Sequence, residues 1–173
     1  MITQEELKSC LYYDQATGVF TWKKYMSASA KAGDVAGGIV STGYRVIGLF
    51  GKTYLAHRLA WLYVFGYFPE GIVDHINREP SDNRICNLRE ATQSCNMRNS
   101  KVSTVNRSGV KGVSIDKKKW RAVIVVRGKQ LSLGRHRTKL EAAKARWLAE
   151  RKYGWPNCDT ISSALAYIKE VSP

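Results

Sequence analysis

Positive charge is distributed unevenly along this chain, and the unevenness divides it into two modules. Lys101 to Gly154 carries 16 basic and 3 acidic residues, whereas His57 to Ser100 carries 5 of each and Met1 to Ala56 carries 6 against 4. A generally solvated basic surface would spread its charge. One block holding almost the whole formal net charge of +14 reads instead as a polyanion-binding module joined to a neutral one, and nucleic acid is the commonest polyanion. With 173 residues, 44% of them hydrophobic, the chain suffices for one ordinary domain or two small ones with folded cores.

Several classes are excluded early. No apolar run approaches 18 residues and no signal peptide is evident, so the expectation is a cytoplasmic protein of a bacterial or phage-infected cell, away from membranes. Cys10, Cys86, Cys95 and Cys158 form no C-x-x-C pair, so neither structural zinc nor a disulfide framework is expected and the thiols read as reduced.

Local signals set the organisation. Thr3 to Glu6 is a capping box for a helix to about Tyr12, followed by a strand at Val19 to Trp22. Ser27 to Thr42 reads as loop, Tyr44 to Phe50 with Thr53 to Ala56 as a hairpin, and His57 to Phe65 as an apolar helix stopped by Gly66. Ile72 to Ile76 is a short strand. Asn87 to Glu90 reads as a second capping signature, which predicts a helix with Leu88, Ala91 and Cys95 on one face and Asn96 beside it. Lys101 to Ser108 is a linker. Gly109 to Ile115, Trp120 to Val126 and Gln130 to Arg135 are then three strands joined by hairpin-length turns, and Thr138 to Glu141 caps a helix to about Tyr153. Thr160 to Val171 predicts a small amphipathic helix.

Chemistry concentrates in the neutral segment. Asp74 and His75 adjoin in Ile72-Val73-Asp74-His75-Ile76, followed by Asn77, Asn83, Asn87 and Asn96. Histidine titrates where a general base must, and a carboxylate with amide oxygens makes a hard donor set suited to Mg²⁺. Neighbours on a strand face apart, so the pair needs the asparagines to become a site. Simpler roles stay open: Asn87 as an N-cap, Asn77 and Asn83 as turn formers, His57 as a packed or capping residue.

His57-Arg58-Leu59, Val73-Asp74-His75-Ile76-Asn77, Asn83-Arg84-Ile85-Cys86-Asn87-Leu88 and Cys95-Asn96 together resemble the HNH motif of ββα-metal endonucleases, nearest the phage and intron-encoded homing branch. The resemblance spans roughly Tyr44 to Asn99. It implies His75 as the base that activates water, Asp74 and Asn96 as holders of one divalent ion (Mg²⁺, with Mn²⁺ as alternative), and Asn87 as a brace that orients the histidine.

The basic block resembles a second family. Gly109-Val110-Lys111-Gly112-Val113, Trp120-Arg121-Ala122, Leu133-Gly134 and Thr138 to Ala143 are similar to the AP2 DNA-binding domain, which lays a three-stranded sheet in the major groove. Alternation along the central strand puts Trp120, Ala122, Ile124 and Val126 on one face and Arg121, Val123, Val125 and Arg127 on the other. Arg121 and Arg127 are therefore expected toward DNA, with Lys111, Gln130 and Ser132 on flanking strands and Lys118 and Lys129 at phosphates. Val123, Val125 and Ser132 depart from the Arg- and Trp-rich sheet of that family, leaving apolar contact to thymine methyls.

The expectation is an α+β protein: an HNH module over 1–100, a linker over 101–108, an AP2-like three-stranded antiparallel sheet packed on one helix over 109–154, and a terminal helix over 155–173. Its partner would be double-stranded DNA, with no small-molecule cofactor, acting as a monomer or weak dimer. The alternatives are a DNA-binding regulator with a vestigial nuclease fold, and a nuclease directed at RNA.

Overall fold

The computed structural model describes residues 1–155 and 161–172. It divides into two units, Met1–Asn96 and Met97–Pro173. Cys158 and Thr160, which belong to the sequence expectations above, lie outside the described residues.

In the first unit the capping box forms as expected: Thr3 accepts from the Glu6 amide at 3.1 Å, and Glu6 accepts from the Thr3 amide at 2.9 Å. Helix α1 (Gln4–Cys10) ends earlier than predicted, because Leu11 and Tyr13 bury alternate side chains as a strand. That strand, β1 (Leu11–Asp14), pairs antiparallel with β2 (Val19–Trp22). Next come β3 (Gly38–Ile39), β4 (Arg45–Leu49) and β5 (Lys52–Leu55), an antiparallel sheet in which the β4–β5 turn falls at Phe50-Gly51. Helix α2 (Ala56–Phe65) stops at Gly66, whose φ of 83° is the left-handed cap that glycine supplies most cheaply. Phe20, Leu7, Leu11, Ile47, Leu49 and Leu59 fill the core these elements share.

The segment that carries the site is built differently from the expectation. Strand β6 (Ile72–His75) pairs antiparallel with a second strand, β7 (Leu88–Ala91), in the register Asp74↔Arg89 and His75↔Leu88. A single 3-10 turn at Ile85–Asn87 leads into β7, and the helix α3 (Gln93–Asn99) begins only afterwards. The predicted helix start at Asn87 is therefore corrected. Leu88 and Ala91 are buried at the two ends of a strand and, three apart, face its opposite sides, so their burial does not mark one helical face. Thr92 makes the side-chain contact at the start of α3, accepting from the Cys95 amide at 3.2 Å. Cys10 and Cys86 are free thiols, the first buried and the second exposed.

The second unit holds β8 (Val113–Asp116), β9 (Lys119–Val126) and β10 (Lys129–His136), an antiparallel sheet in the order β10-β9-β8. Helix α4 (Lys139–Lys152) carries the Thr138/Glu141 capping box. The core here joins Val110, Val113, Ala122, Ala142 and Ala143, with Trp120 and Trp147 partly buried against it. Helix α5 (Ser163–Val171) is capped by Ser162, and Ala164 is its buried residue. Among the described residues no helix is long and apolar enough to cross a membrane.

Candidate active site

All of Val73, Asp74 and His75 are buried, so β6 is covered on both faces. The pleat sends its adjacent acidic and imidazole side chains into two different environments. His75 enters an aromatic pocket. Its ring meets His57 of α2 edge to face, with centroids 4.9 Å apart and planes at 80°, and Tyr44 lies 5.9 Å from His75 and 5.4 Å from His57. The Nε2 atom of His75 is 3.1 Å from the Asn83 side-chain oxygen. An oxygen acceptor on that side favours the tautomer with the proton on Nε2. Burial lowers the His75 pKa below that of an ordinary histidine, against the opposing pull of Asn83, Asp74 and Asp82. His57 is pushed down to about 3, first by burial and then by the charges of His75 and Arg58. Two neutral imidazoles at pH 7 follow.

Asn83 is placed from the first β hairpin. Its backbone carbonyl accepts from the Tyr13 hydroxyl at 2.6 Å, inside a stack of Tyr13 on Phe20 with centroids at 4.6 Å. The hairpin turn presses on the same spot: a Cβ added to Gly18, which has φ +74°, would lie 2.4 Å from the Arg84 nitrogen. Only a residue without a side chain allows this approach. The loop between β6 and β7 is then laced by amides. Asn87 Oδ1 accepts from the Asn77 backbone N–H at 3.0 Å, and Asn87 Nδ2 donates to the Asp82 carbonyl at 2.8 Å. Asn77 Nδ2 donates to Asp82 at 2.7 Å, while the Arg84 guanidinium holds the Asp82 carboxyl down at about 2. Asn87 thus contacts the loop, whereas Asn83 lies within hydrogen-bond distance of the His75 ring.

Asp74 lies on the other face, 6% exposed, in a salt bridge with Arg89 directly across the ladder. Arg89 Nε and Nη2 stand 3.0 and 2.8 Å from Asp74 Oδ2. Asn96 is half-buried in the middle of α3. Among the described residues no group of three or more His, Cys, Asp or Glu side chains comes together as a metal-ligand set, so a cation beside Asp74 would draw on neutral oxygens as well.

Residues 54–98, which contain α2, β6, the amide-laced loop, β7 and most of α3, match the family model described as HNH endonuclease. The chain carries an HNH endonuclease domain and belongs to that family. It is 36% identical over 84 residues to Protein 3.8 of Escherichia phage T7, an overlap covering 47% of this chain and 69% of that one. A solved structure of the HNH homing endonuclease I-HmuI, which binds and cleaves DNA, overlaps 84% of this chain and 78% of its own with 25% identity and a TM-score of 0.41.

The HNH domain brings Asp74, His75 and Asn87 together with Asn77 and Asn83 around one two-stranded ladder. Sequence reasoning left Asn83 and His57 as a turn former and a packed residue. Their contacts to His75 join positions 8 and 18 residues away in the chain, from a loop and from another helix, and no spacing rule covers that.

In the second unit Arg121 is half-buried, and Lys118, Arg127, Lys129, Gln130 and Ser132 are exposed. Two placements differ from expectation. Lys111 turns its ammonium onto backbone carbonyls of Met97, Arg98 and Ser100, so it satisfies the end of α3 and is not presented on the sheet. Arg127 sits in the β9–β10 turn with φ +48°, past the end of the strand. The sheet also supplies a cation the sequence reading missed. A register shift between Ser132 and Arg135 puts Arg135 opposite Arg121, where simple alternation would put Gly134. Asp116 neutralises part of that like-charge pair through a 2.8 Å contact to Arg135 Nε.

Proposed function

We propose that this protein is a metal-dependent DNA endonuclease that hydrolyses phosphodiester bonds, with His75 as the general base and the β8–β10 sheet as an AP2-like grip on the duplex. The observation that carries the reading is the state of His75. It is a buried imidazole held 3.1 Å from the Asn83 side-chain oxygen, and burial lowers its pKa so that it is neutral and able to take a proton from water at neutral pH. Asn83 fixes the ring, and His57 and Tyr44 wall it in.

Asp74 and Asn96 are the residues that would hold the divalent ion. The donor chemistry fits: Asp74 is a buried carboxylate that already faces a cation, and a carboxylate with a carboxamide oxygen is a hard set of the kind Mg²⁺ accepts while keeping several waters. When bound, such an ion offsets charge on the phosphate and stabilises the leaving oxygen. Arg121 and Arg135 on the outer face of the sheet, with Lys118 and Lys129 in exposed turns or strand ends, would neutralise phosphates. One such site cuts one strand, so a monomer nicks and a double-strand break needs a dimer or a second nick. The phage source of Protein 3.8 supports a setting in phage-infected bacteria.

Supercoiled plasmid incubated with the protein and Mg²⁺ tests the proposal. Open circles are expected with Mg²⁺ and none with EDTA. A plasmid that the protein demonstrably binds, yet leaves supercoiled with both Mg²⁺ and Mn²⁺, would mean a DNA-binding regulator whose nuclease fold is vestigial.

A further inference from the structure

Asp74 is already occupied by a group that a metal ion would have to displace. The two nearest guanidinium nitrogens of Arg89 converge on one carboxylate oxygen, Oδ2, at 3.0 and 2.8 Å. The side chains are 15% and 7% exposed, so water screens the pair poorly. The two residues are direct cross-strand partners, and the β6–β7 register itself therefore aims the guanidinium at the carboxylate. A buried carboxylate without a counter-charge is costly, and Arg89 supplies that charge. A divalent ion on the same carboxylate would bring two cations to one anion where little solvent separates them, so the two compete for it.

We propose that Arg89 and the divalent ion exchange on Asp74: the guanidinium neutralises the carboxylate while no metal is bound, and it leaves Oδ2 when metal arrives. This rests on the reading of Asp74 as a metal ligand. Arg89 is then a positioning residue, which keeps Asp74 in its ligating orientation before metal binds and lowers the affinity for metal by competing for it.

Two measurements on the full chain without DNA test the exchange. The first is Mn²⁺ affinity by electron paramagnetic resonance for the wild type, Arg89→Gln and Asp74→Asn. Removing the competing charge is expected to tighten Mn²⁺ binding in Arg89→Gln tenfold or more, about 1.4 kcal/mol. The second needs no variant: the Arg89 Nε–H resonance is followed through a Mg²⁺ titration of the wild type, and it should shift as the salt bridge opens. It decides the matter alone if Arg89→Gln does not fold. Unchanged or weaker Mn²⁺ binding in Arg89→Gln, or an Nε–H resonance unmoved at saturating Mg²⁺, overturns the exchange. Asp74→Asn separates the two claims. Loss of Mn²⁺ binding there with no gain in Arg89→Gln means that Asp74 is a ligand and exchange is wrong; unchanged binding there means that the ligand assignment itself fails.

Discussion

Asn83 Oδ1 meets His75 Nε2 at 3.1 Å, a buried contact between the amide-laced loop and the end of β6. The loop is itself pinned by the Tyr13 hydroxyl. Removing the amide in Asn83→Ala is expected to lower the cleavage rate roughly ten- to a hundredfold, the usual cost of losing a partner that orients a functional histidine, with little change in DNA affinity. Asn83→Asp keeps an acceptor but adds negative charge, which favours imidazolium. Its pH–rate profile should therefore have its acid limb displaced to higher pH. An undisplaced limb in Asn83→Asp would remove Asn83 from this role.

The buried histidines make stability depend on acid. Unfolded, His57 takes a proton below about pH 6.5; folded, it does so only below about 3. The unfolded chain binds more protons between those values. Stability is therefore fully present above about pH 6.5 and falls as the pH drops toward 3, by about 1.4 kcal/mol per unit for one such group. Urea midpoints measured across that range should fall for the wild type and fall less steeply for His57→Phe. Parallel curves would mean that His57 is not buried neutral.

Gly18 links the first hairpin to the site. Alanine there meets a left-handed backbone and a contact of 2.4 Å to the Arg84 nitrogen, so Gly18→Ala should cost about 1–3 kcal/mol and lower the melting temperature. A wild-type melting temperature would show that the turn does not press on the Asn83 loop.

On the basic sheet the two classes of cation separate. Arg121→Ala or Arg135→Ala should weaken DNA binding and reduce the slope of log affinity against log salt by about one. Lys111→Ala should lower thermal stability and leave the salt slope unchanged, because its ammonium is committed to carbonyls at the end of α3. Salt titrations of DNA binding on the three variants distinguish these outcomes.

What the sequence made legible follows from range. The Thr3 and Thr138 capping boxes, the stop at Gly66 and the three strands of the basic sheet are encoded within a few residues, and the structure has them. Asn87 misled because an asparagine three residues ahead of a glutamate looks the same before a helix and before β7; the pairing of Leu88 with His75, a contact across 13 residues, decides for the strand. Arg135 was hidden by one extra residue in β10, which changes the alternation after Ser132. The pocket around His75 was least visible. Its walls come from Tyr44, His57 and Asn83, which tertiary packing brings together.

The most direct test of the account is the single-turnover cleavage rate of His75→Ala against the wild type, on a duplex that both bind, at saturating Mg²⁺. Loss of a general base predicts a rate roughly 10²–10⁴-fold lower with DNA affinity nearly unchanged. A His75→Ala protein that binds the duplex and cleaves it at the wild-type rate would contradict the assignment of His75 as the base.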